Sequence, residues 1–513
     1  MLSVVDLGPP PACPTRLNLA AHVLAAGAAC PDKIALAVVG PARADRWSFA
    51  RLSRAVGGAA AWFRAAHPAP GTRVLLRIGN SVDFPIVFLG AIAAGHVPVP
   101  TSAALTAGEI TRIAADLDPA LVVAGAGVAL PEHPAPVVAL ADLRAEAGEA
   151  DLRAADTGAE DAAYIVYTSG TSGAPRGVVH AHRAVWARRM MVEGWYGLTP
   201  EDRVMHAGAF NWTYTLGTGL LDPWAMGATA LIPAEGISAD ALPLLIARHD
   251  VTIFAAVPGV FRRLLRQGPL PPMAKLRHGL SAGEKLPDEV RAHWRDRTGT
   301  DIHEAFGQSE CSTFVSGSPA RPAPEGSLGF PQPGRRMALL GEDGQPVGRG
   351  MPGILAVHRA DPGLMLGYLH DPEAEARHLR GDWFLTGDSM VLRDDGALDY
   401  IGRADDLLTA GGFRVSPLEV EAALTAFPGV AEAAAVDHVL DRTTRVIAAF
   451  YVAEGPVDEA KLAAHCAERL ASYKRPRVFF RVDGLPRAAN GKLARRALRI
   501  TPDTQSETTD DQA

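Results

Sequence analysis

Apolar positions along the chain fall into two alternating kinds of stretch. Ile34 to Val39, Arg73 to Ile78 and Leu121 to Ala124 are short apolar runs of strand length. Between them, Leu52, Val56, Ala59 and Phe63 recur at helical spacing, and residues 82–94 form a denser apolar helix. Thr106 followed by Glu109 is a capping box, so a helix bearing Ile110 and Ile113 starts there. The same alternation resumes downstream. Strands are expected at 203–206, 229–232 and 251–257, helices at 217–226 and around Val260, Leu264 and Leu265, and a polar helical stretch at 180–193. Strands alternating with helices predict parallel sheets covered on both faces. Residues 125–160, rich in Ala, Pro, Glu and Asp, have weak periodicity and read as a surface connection.

Past residue 340 the texture changes to short strands separated by Gly, Asp and Pro turns. Ser416-Pro417-Leu418-Glu419 reads as a second capping box opening a helix with Val420, Ala423, Leu424 and Phe427 on its apolar face. Strands at 431–436 and 446–452 and a helix with Leu462, Cys466 and Leu470 follow. The expectation is an α/β fold. It comprises a large N-terminal domain (1–404) of layered, mostly parallel sheets, a smaller mobile α+β domain (405–500) and a disordered acidic tail (501–513).

The totals narrow the function. The chain has 513 residues, too many for one core. Fifty basic against 57 acidic residues give a net charge of −7, which argues against nucleic acid as a partner. Cys13, Cys30, Cys311 and Cys466 are scattered, which suits a reducing cytoplasm and gives neither a disulfide framework nor a zinc site. The N-terminal residues show no signal-peptide pattern, and the longest apolar run, near Phe84 to Ala94, is too short to span a bilayer.

One loop stands out. The β-type run Ala163 to Tyr167 leads into Thr168-Ser169-Gly170-Thr171-Ser172-Gly173-Ala174-Pro175-Arg176-Gly177. Glycines allow close backbone approach, successive free N–H groups make an anion nest, and hydroxyls and one cation add to it. The segment reads as a triphosphate cradle without the Gly-Lys-Ser/Thr ending of a Walker loop, in preference to a Ser/Gly-rich surface linker, since linkers rarely follow a buried strand or end on a single cation. Further on stand Ser281-Ala282-Gly283-Glu284, Ala305-Phe306-Gly307-Gln308-Ser309-Glu310, Phe384-Leu385-Thr386-Gly387-Asp388, Gly402-Arg403-Ala404-Asp405-Asp406, Gly411-Gly412-Phe413-Arg414 and Asn490-Gly491-Lys492.

In this order, from about residue 18 to 500, these segments resemble the adenylate-forming enzymes: acyl- and aryl-CoA synthetases, luciferases and peptide-synthetase adenylation domains. The family usually has Lys where this chain has Arg176, Thr where it has Ser309, and Ser or Thr where it has Asn490. The resemblance implies an ATP-dependent, AMP-forming acid–thiol ligase using Mg²⁺ and coenzyme A, and is compatible with a homodimer. By the same resemblance Ser309 touches the α-phosphate and Glu310 holds Mg²⁺. Ala282 to Glu284 flank adenine, and Phe306 and Gly307 belong to the same nucleotide-binding set. Asp388 and Arg403 hold the ribose, and Asp405 is a hinge. Gly412 and Arg414 line the thiol channel, and Lys492 is the adenylation cation.

Trp212, Asp222-Pro223-Trp224-Ala225-Met226-Gly227 and the Phe-Gly-Gln-Ser-Glu form look most like medium-chain and benzoate-type CoA ligases. Trp212, Tyr214, Gly217, Val257 and Ala305 are the expected acid pocket, for an aromatic or short-to-medium apolar carboxylic acid. Trp212 and Tyr214 suit stacking on a ring, and an ordinary core position fits Tyr214 equally. Two other readings stay open. In one, the acyl group passes to a carrier protein or other acceptor; in the other, the chain is a nucleotide-binding regulator without catalysis.

Overall fold

The computed structural model describes residues 1–169, 175–404, 408–410, 413–439, 445–470, 472–487 and 493–498. Its centre is a nine-stranded sheet. Ile34–Val39, Thr229–Pro233, Arg203–His206, Ile253–Ala256, His278–Ala282 and Asp301–Gln308 lie side by side and parallel. These strands are apolar along most of their length because helices cover both faces. Ala44–Ser48 closes one edge antiparallel, and Ser312–Ser316 with Phe330–Pro331 closes the other. A second, four-stranded sheet is all parallel: Val97–Pro100, Arg73–Arg77, Leu121–Ala124 and Val137–Ala139.

Two further sheets are antiparallel. The strands Ala162–Ser169 and Pro175–Ala181, between which the phosphate-loop residues 170–174 fall in sequence, pair antiparallel, with Thr168 opposite Arg176. The short strand Gly367–Tyr368 adds to the second strand of this hairpin, Tyr368 opposite Val178. A six-stranded sheet contains Trp383–Leu392 and Leu398–Arg403, paired so that Asp388 faces Arg403.

The C-terminal unit has its own core around Val420, Leu424, Ile447, Tyr451, Leu462 and Cys466. The helices Pro417–Thr425 and Glu459–Arg469 pack on the strands Val430–Val439, Arg445–Ala453 and Val478–Arg481.

Three local expectations differ from the structure. Residues 125–160 contain a strand, Val137–Ala139, and a helix, Leu140–Ala147; Ala-rich, weakly periodic sequence hid both. The segment 180–193 is not one helix. His180 and Ala181 finish a strand, and only Arg183–Ala187 is α-helical before a π-type turn at Val192–Tyr196. Ser416 does not cap its helix, because its hydroxyl donates to the Ile401 carbonyl instead. The Thr106–Glu109 capping box is present, with Glu109 N–H on Thr106 Oγ1 (3.4 Å) and Thr106 N–H on Glu109 Oε2 (2.8 Å). No described helix is long and apolar enough to cross a membrane.

Candidate active site

In an open parallel sheet, groups placed just beyond the carboxyl ends of the strands share one edge. Here that edge collects Gly208–Trp212, Val257, Gly283–Glu284 and Ser309–Glu310, which follow Arg203–His206, Ile253–Ala256, His278–Ala282 and Asp301–Gln308 respectively. Sequence-distant segments are thereby brought side by side.

Two consecutive bridges leave the end of Asp301–Gln308. Gln308 Nε2 donates to the Thr386 carbonyl (2.8 Å) and to Asp388 Oδ2 (2.5 Å), reaching the six-stranded sheet. Two residues on, Glu310 Oε1 accepts from Tyr368 O–H at 2.9 Å, reaching the hairpin sheet. Its backbone carbonyl accepts from Met365 N–H at 2.7 Å. Gly307 sits at the irregularity between these strands. A Cβ there would lie 2.3 Å from the Ser312 carbonyl, so no other residue fits the crossing.

Asp388 is buried and well supplied with donors. Besides Gln308 it accepts from Tyr400 O–H at 2.9 Å, and Arg403 Nη1 lies 3.5 Å from Oδ2. Burial and the nearby Asp388 charge push the Tyr400 hydroxyl well above its ordinary pKa, so it stays a donor. Arg403 is a third exposed and also reaches the Thr386 carbonyl at 3.3 Å.

Arg176 stands on the hairpin with Nε 3.6 Å from Asp371 Oδ2 and its guanidinium 5.6 Å from the Tyr368 ring centre. Tyr368 thus lies between Arg176 and Glu310. Burial and the Glu310 charge raise its pKa, which keeps the proton that Glu310 accepts. Among the described residues no group of three or more His, Cys, Asp or Glu is placed to hold a metal. A single aimed carboxylate such as Glu310 is what Mg²⁺ requires when phosphates supply the other oxygens.

The expected acid pocket separates into two parts. Trp212 is partly exposed, and its indole and Val257 Cγ1 converge on Gly283, at 3.6–3.7 Å from where a Cβ would stand. Tyr214 and Ala305 are buried in the core behind them. Tyr214 O–H donates to the Leu280 carbonyl at 3.0 Å, and its ring lies edge-on to His206 at 4.3 Å. Tyr214 is therefore a wall residue rather than a stacking surface. The space beside Gly217 is filled by the Arg188 guanidinium, 2.0 Å from a would-be Cβ. Phe306 packs edge-on to Phe314 (5.5 Å) and tilted to Tyr400 (5.7 Å). Ala282 ends its strand, and Gly283 turns the chain with φ +97°.

Several expected residues lie outside the described ones: Gly170, Thr171, Ser172, Gly173, Asp405, Gly412 and Lys492. Of Ser169 and Arg414 only the backbone is described, in the strands Ala162–Ser169 and Phe413–Val415. The flanks of Lys492 are anchored. Arg487 bridges to Leu493, Ala494 N–H donates to the Pro486 carbonyl (2.8 Å), and Arg495 makes two bonds to Glu421 (2.9 and 2.7 Å). Arg495 is thus a paired, mostly buried cation.

Sequence reasoning did not single out Tyr368, Tyr400, Asp371 or Arg188. Their partners lie 58, 12, 195 and 34 positions away, and nothing in local spacing marks such pairs.

With this geometry in hand, the relatives are informative. Residues 24–369 match the AMP-binding enzyme family, and residues 419–492 match the AMP-binding enzyme C-terminal domain. A benzoate–CoA ligase of Thauera aromatica is 34% identical over 457 residues, 84% of this chain and 86% of that one. A 4-hydroxybenzoate–CoA/benzoate–CoA ligase of Rhodopseudomonas palustris is 32% identical over 83% of this chain and 84% of its own length. Among solved structures, an anthranilate CoA ligase in complex with anthranoyl-AMP superposes with a TM-score of 0.86 at 27% identity, covering 95% of this chain and 97% of that one. The chain belongs to the AMP-binding enzymes, the adenylate-forming superfamily.

Proposed function

We propose that this protein is an AMP-forming acid–CoA ligase whose acid is aromatic. A carboxylate is a poor electrophile because both oxygens share its charge. In the first half-reaction a carboxylate oxygen bonds to the ATP α-phosphorus and the bond to pyrophosphate breaks. In the second, the CoA thiol sulfur bonds to the acyl carbon, AMP leaves, and the thiol proton is released.

The observation that carries this reading is the pair of bridges from one strand end, Gln308 to Asp388 and Glu310 to Tyr368. They gather Asp388, Glu310 and the hairpin that carries Arg176 around a single edge, which supports reading Asp388 as a ribose carboxylate and Glu310 as a metal carboxylate. Asp388, with Arg403, would orient the ribose hydroxyls, a task carboxylates perform in other nucleotide sites. Ser309, Arg176 and the loop 168–173 would cradle the phosphates. Mg²⁺ bound at Glu310 would neutralise phosphate charge. Trp212, whose ring edge lies beside Gly283, would stack on an aromatic ring, and the relatives named for benzoate and hydroxybenzoate agree with that choice.

Lys492 would place its ammonium between the carboxylate and α-phosphate oxygens, where negative charge builds up. The C-terminal unit would then turn about Asp405 and bring Gly412 and Arg414 to the thiol path. The test is pyrophosphate release with a panel of carboxylic acids, with and without CoA. A CoA-dependent thioester is expected; acid-dependent pyrophosphate without a CoA product would favour a carrier-protein acceptor, and silence a regulator. Lys492→Ala should fail at adenylation yet still convert supplied acyl-AMP and CoA to thioester. Equal loss of both half-reactions would refute the two-pose mechanism.

A further inference from the structure

Beside the strand-end cleft lies a small cavity of about 20 Å³, lined by His180, Arg188, Thr213, Gly217, Ser309 and Ser312 among others. That is room for about one water-sized group. Its inner end is buried at His180 and Arg188, and its outer end opens at the partly exposed Thr213, Ser309 and Ser312.

His180 is 3% exposed; the Ser309 backbone stands close enough to one ring nitrogen to favour its protonated form, yet neither nitrogen has a hydrogen bond of good geometry among the described residues. A buried polar group without a partner is costly, and it persists where a ligand or water completes it. The ring is held flat against Tyr164, centroids 4.7 Å apart. Burial lowers its pKa to about 4, so at neutral pH it is uncharged, with one donor and one acceptor nitrogen. Arg188 contributes no free charge, because its guanidinium is locked on Asp222 by two bonds (2.8 and 2.6 Å). Its Nη1 donates to Ser312 Oγ, which leaves the Ser312 O–H free to donate onward. Ser312 itself holds φ at +62°, a conformation few non-glycine residues adopt.

The lining therefore suits a small, neutral group that both donates and accepts. A carboxylate is too large and finds no unpaired cation. One wall is Ser309, the residue next to Glu310, where the acyl–phosphate junction forms in the function proposed above. Another is Gly217, on the helical segment that walls the acid pocket. In that function a group reaching this space would stand beside the carboxylate. We propose that the cavity is a subsite for one hydroxyl or amino group carried by the acid beside its carboxylate, so the preferred substrate is an ortho-substituted aromatic acid. This inference rests on the acid–CoA ligase reading and deepens it.

The experiment is thioester formation by the purified full chain with ATP, Mg²⁺ and CoA. The acids are benzoate, 2-hydroxybenzoate, 2-aminobenzoate, 3-hydroxybenzoate and 4-hydroxybenzoate. A site built to hydrogen-bond a substituent rejects the analogue lacking it. One of the two ortho acids should therefore exceed benzoate in kcat/KM by about tenfold or more. In His180→Phe that ratio should fall toward one. Ser312→Ala, a smaller change that tests the same wall if His180→Phe does not fold, should lower the ratio several-fold. Benzoate equal to or better than both ortho acids overturns the proposal and leaves a water in the cavity. A 3- or 4-hydroxy preference, or an ortho preference that survives in both variants, also overturns it. Turnover of no aromatic acid at all would instead bring down the ligase reading on which it stands.

Discussion

The tightest steric constraint near the acid pocket is at Gly217, and replacing it with Ala tests the local reading. An added Cβ would lie 2.0 Å from Arg188 Nη2, 2.1 Å from Cζ and 2.7 Å from Nε. All three atoms belong to one rigid plane, so the whole guanidinium must move by more than about 1 Å to reach ordinary contact. It has nowhere to go. Nε and Nη2 are bound to Asp222 at 2.8 and 2.6 Å, Nη2 also reaches Tyr196 O–H at 3.1 Å, and Nη1 is on Ser312. The Asp222 side chain is 4% exposed, so water cannot replace the arginine. Breaking a buried pair of this kind costs about 3–5 kcal/mol. Against that, Ala favours helix over Gly by only about 1 kcal/mol. The clash wins, and Gly217→Ala is expected to lose roughly 2–4 kcal/mol. The assay is thermal and urea unfolding, read at the first transition because a chain of this size need not unfold in one step. Gly108→Ala is the control. It lies in the exposed first turn of Ala107–Leu117 with nothing within 4 Å, and should be neutral or slightly stabilising. Adding Gly217→Ala to a paired Arg188→Met/Asp222→Leu background should cost far less than adding it to the natural chain. Unchanged or raised stability in Gly217→Ala, or an equal loss in both backgrounds, refutes the reasoning.

Other perturbations follow from the same contacts. Tyr368→Phe removes the O–H that Glu310 accepts; the KM for magnesium–ATP in pyrophosphate release should rise about tenfold, the order expected for a bond to a charged group. Glu421→Ala leaves Arg495 without the carboxylate that anchors the chain just after Lys492, and adenylation rates should fall more than conversion of supplied acyl-AMP to thioester. Burial lowers the pKa of His180, His182, His278 and His303 to about 4 and that of His206 to about 3. The unfolded chain therefore takes up protons below about pH 6.5 that the native chain refuses until about pH 4. Stability is full above pH 6.5 and is lost as pH falls through that window, by about 1.4 kcal/mol per unit for each histidine. Urea midpoints measured from pH 8 to 4.5 should decline below 6.5, and a midpoint flat to pH 4.5 contradicts the neutral burial.

How much of this was legible in sequence depends on the range of the interaction concerned. Strands such as Leu121–Ala124 are fixed by a local apolar run, and the helix at Ala107–Leu117 by a local cap, so both were readable. Ser416 has the same local signal as Thr106, yet its hydroxyl goes to Ile401, fifteen positions away. A residue pattern records which bonds a side chain can make, and tertiary packing decides which it does make. The site repeats that division. Gln308, Ser309, Glu310 and Asp388 stand in motifs a reader can see. What links them is Tyr368 on a strand paired to the hairpin, and Tyr400 on the strand paired directly with that of Asp388. Gly217 shows the limit most plainly. Its missing side chain looked like room for a substrate, whereas the space is occupied by an arginine from 29 residues earlier that the acidic partner Asp222 holds in place. A small residue in a motif therefore shows where space lies only once the buried polar groups behind it are placed, here Arg188 and Asp222.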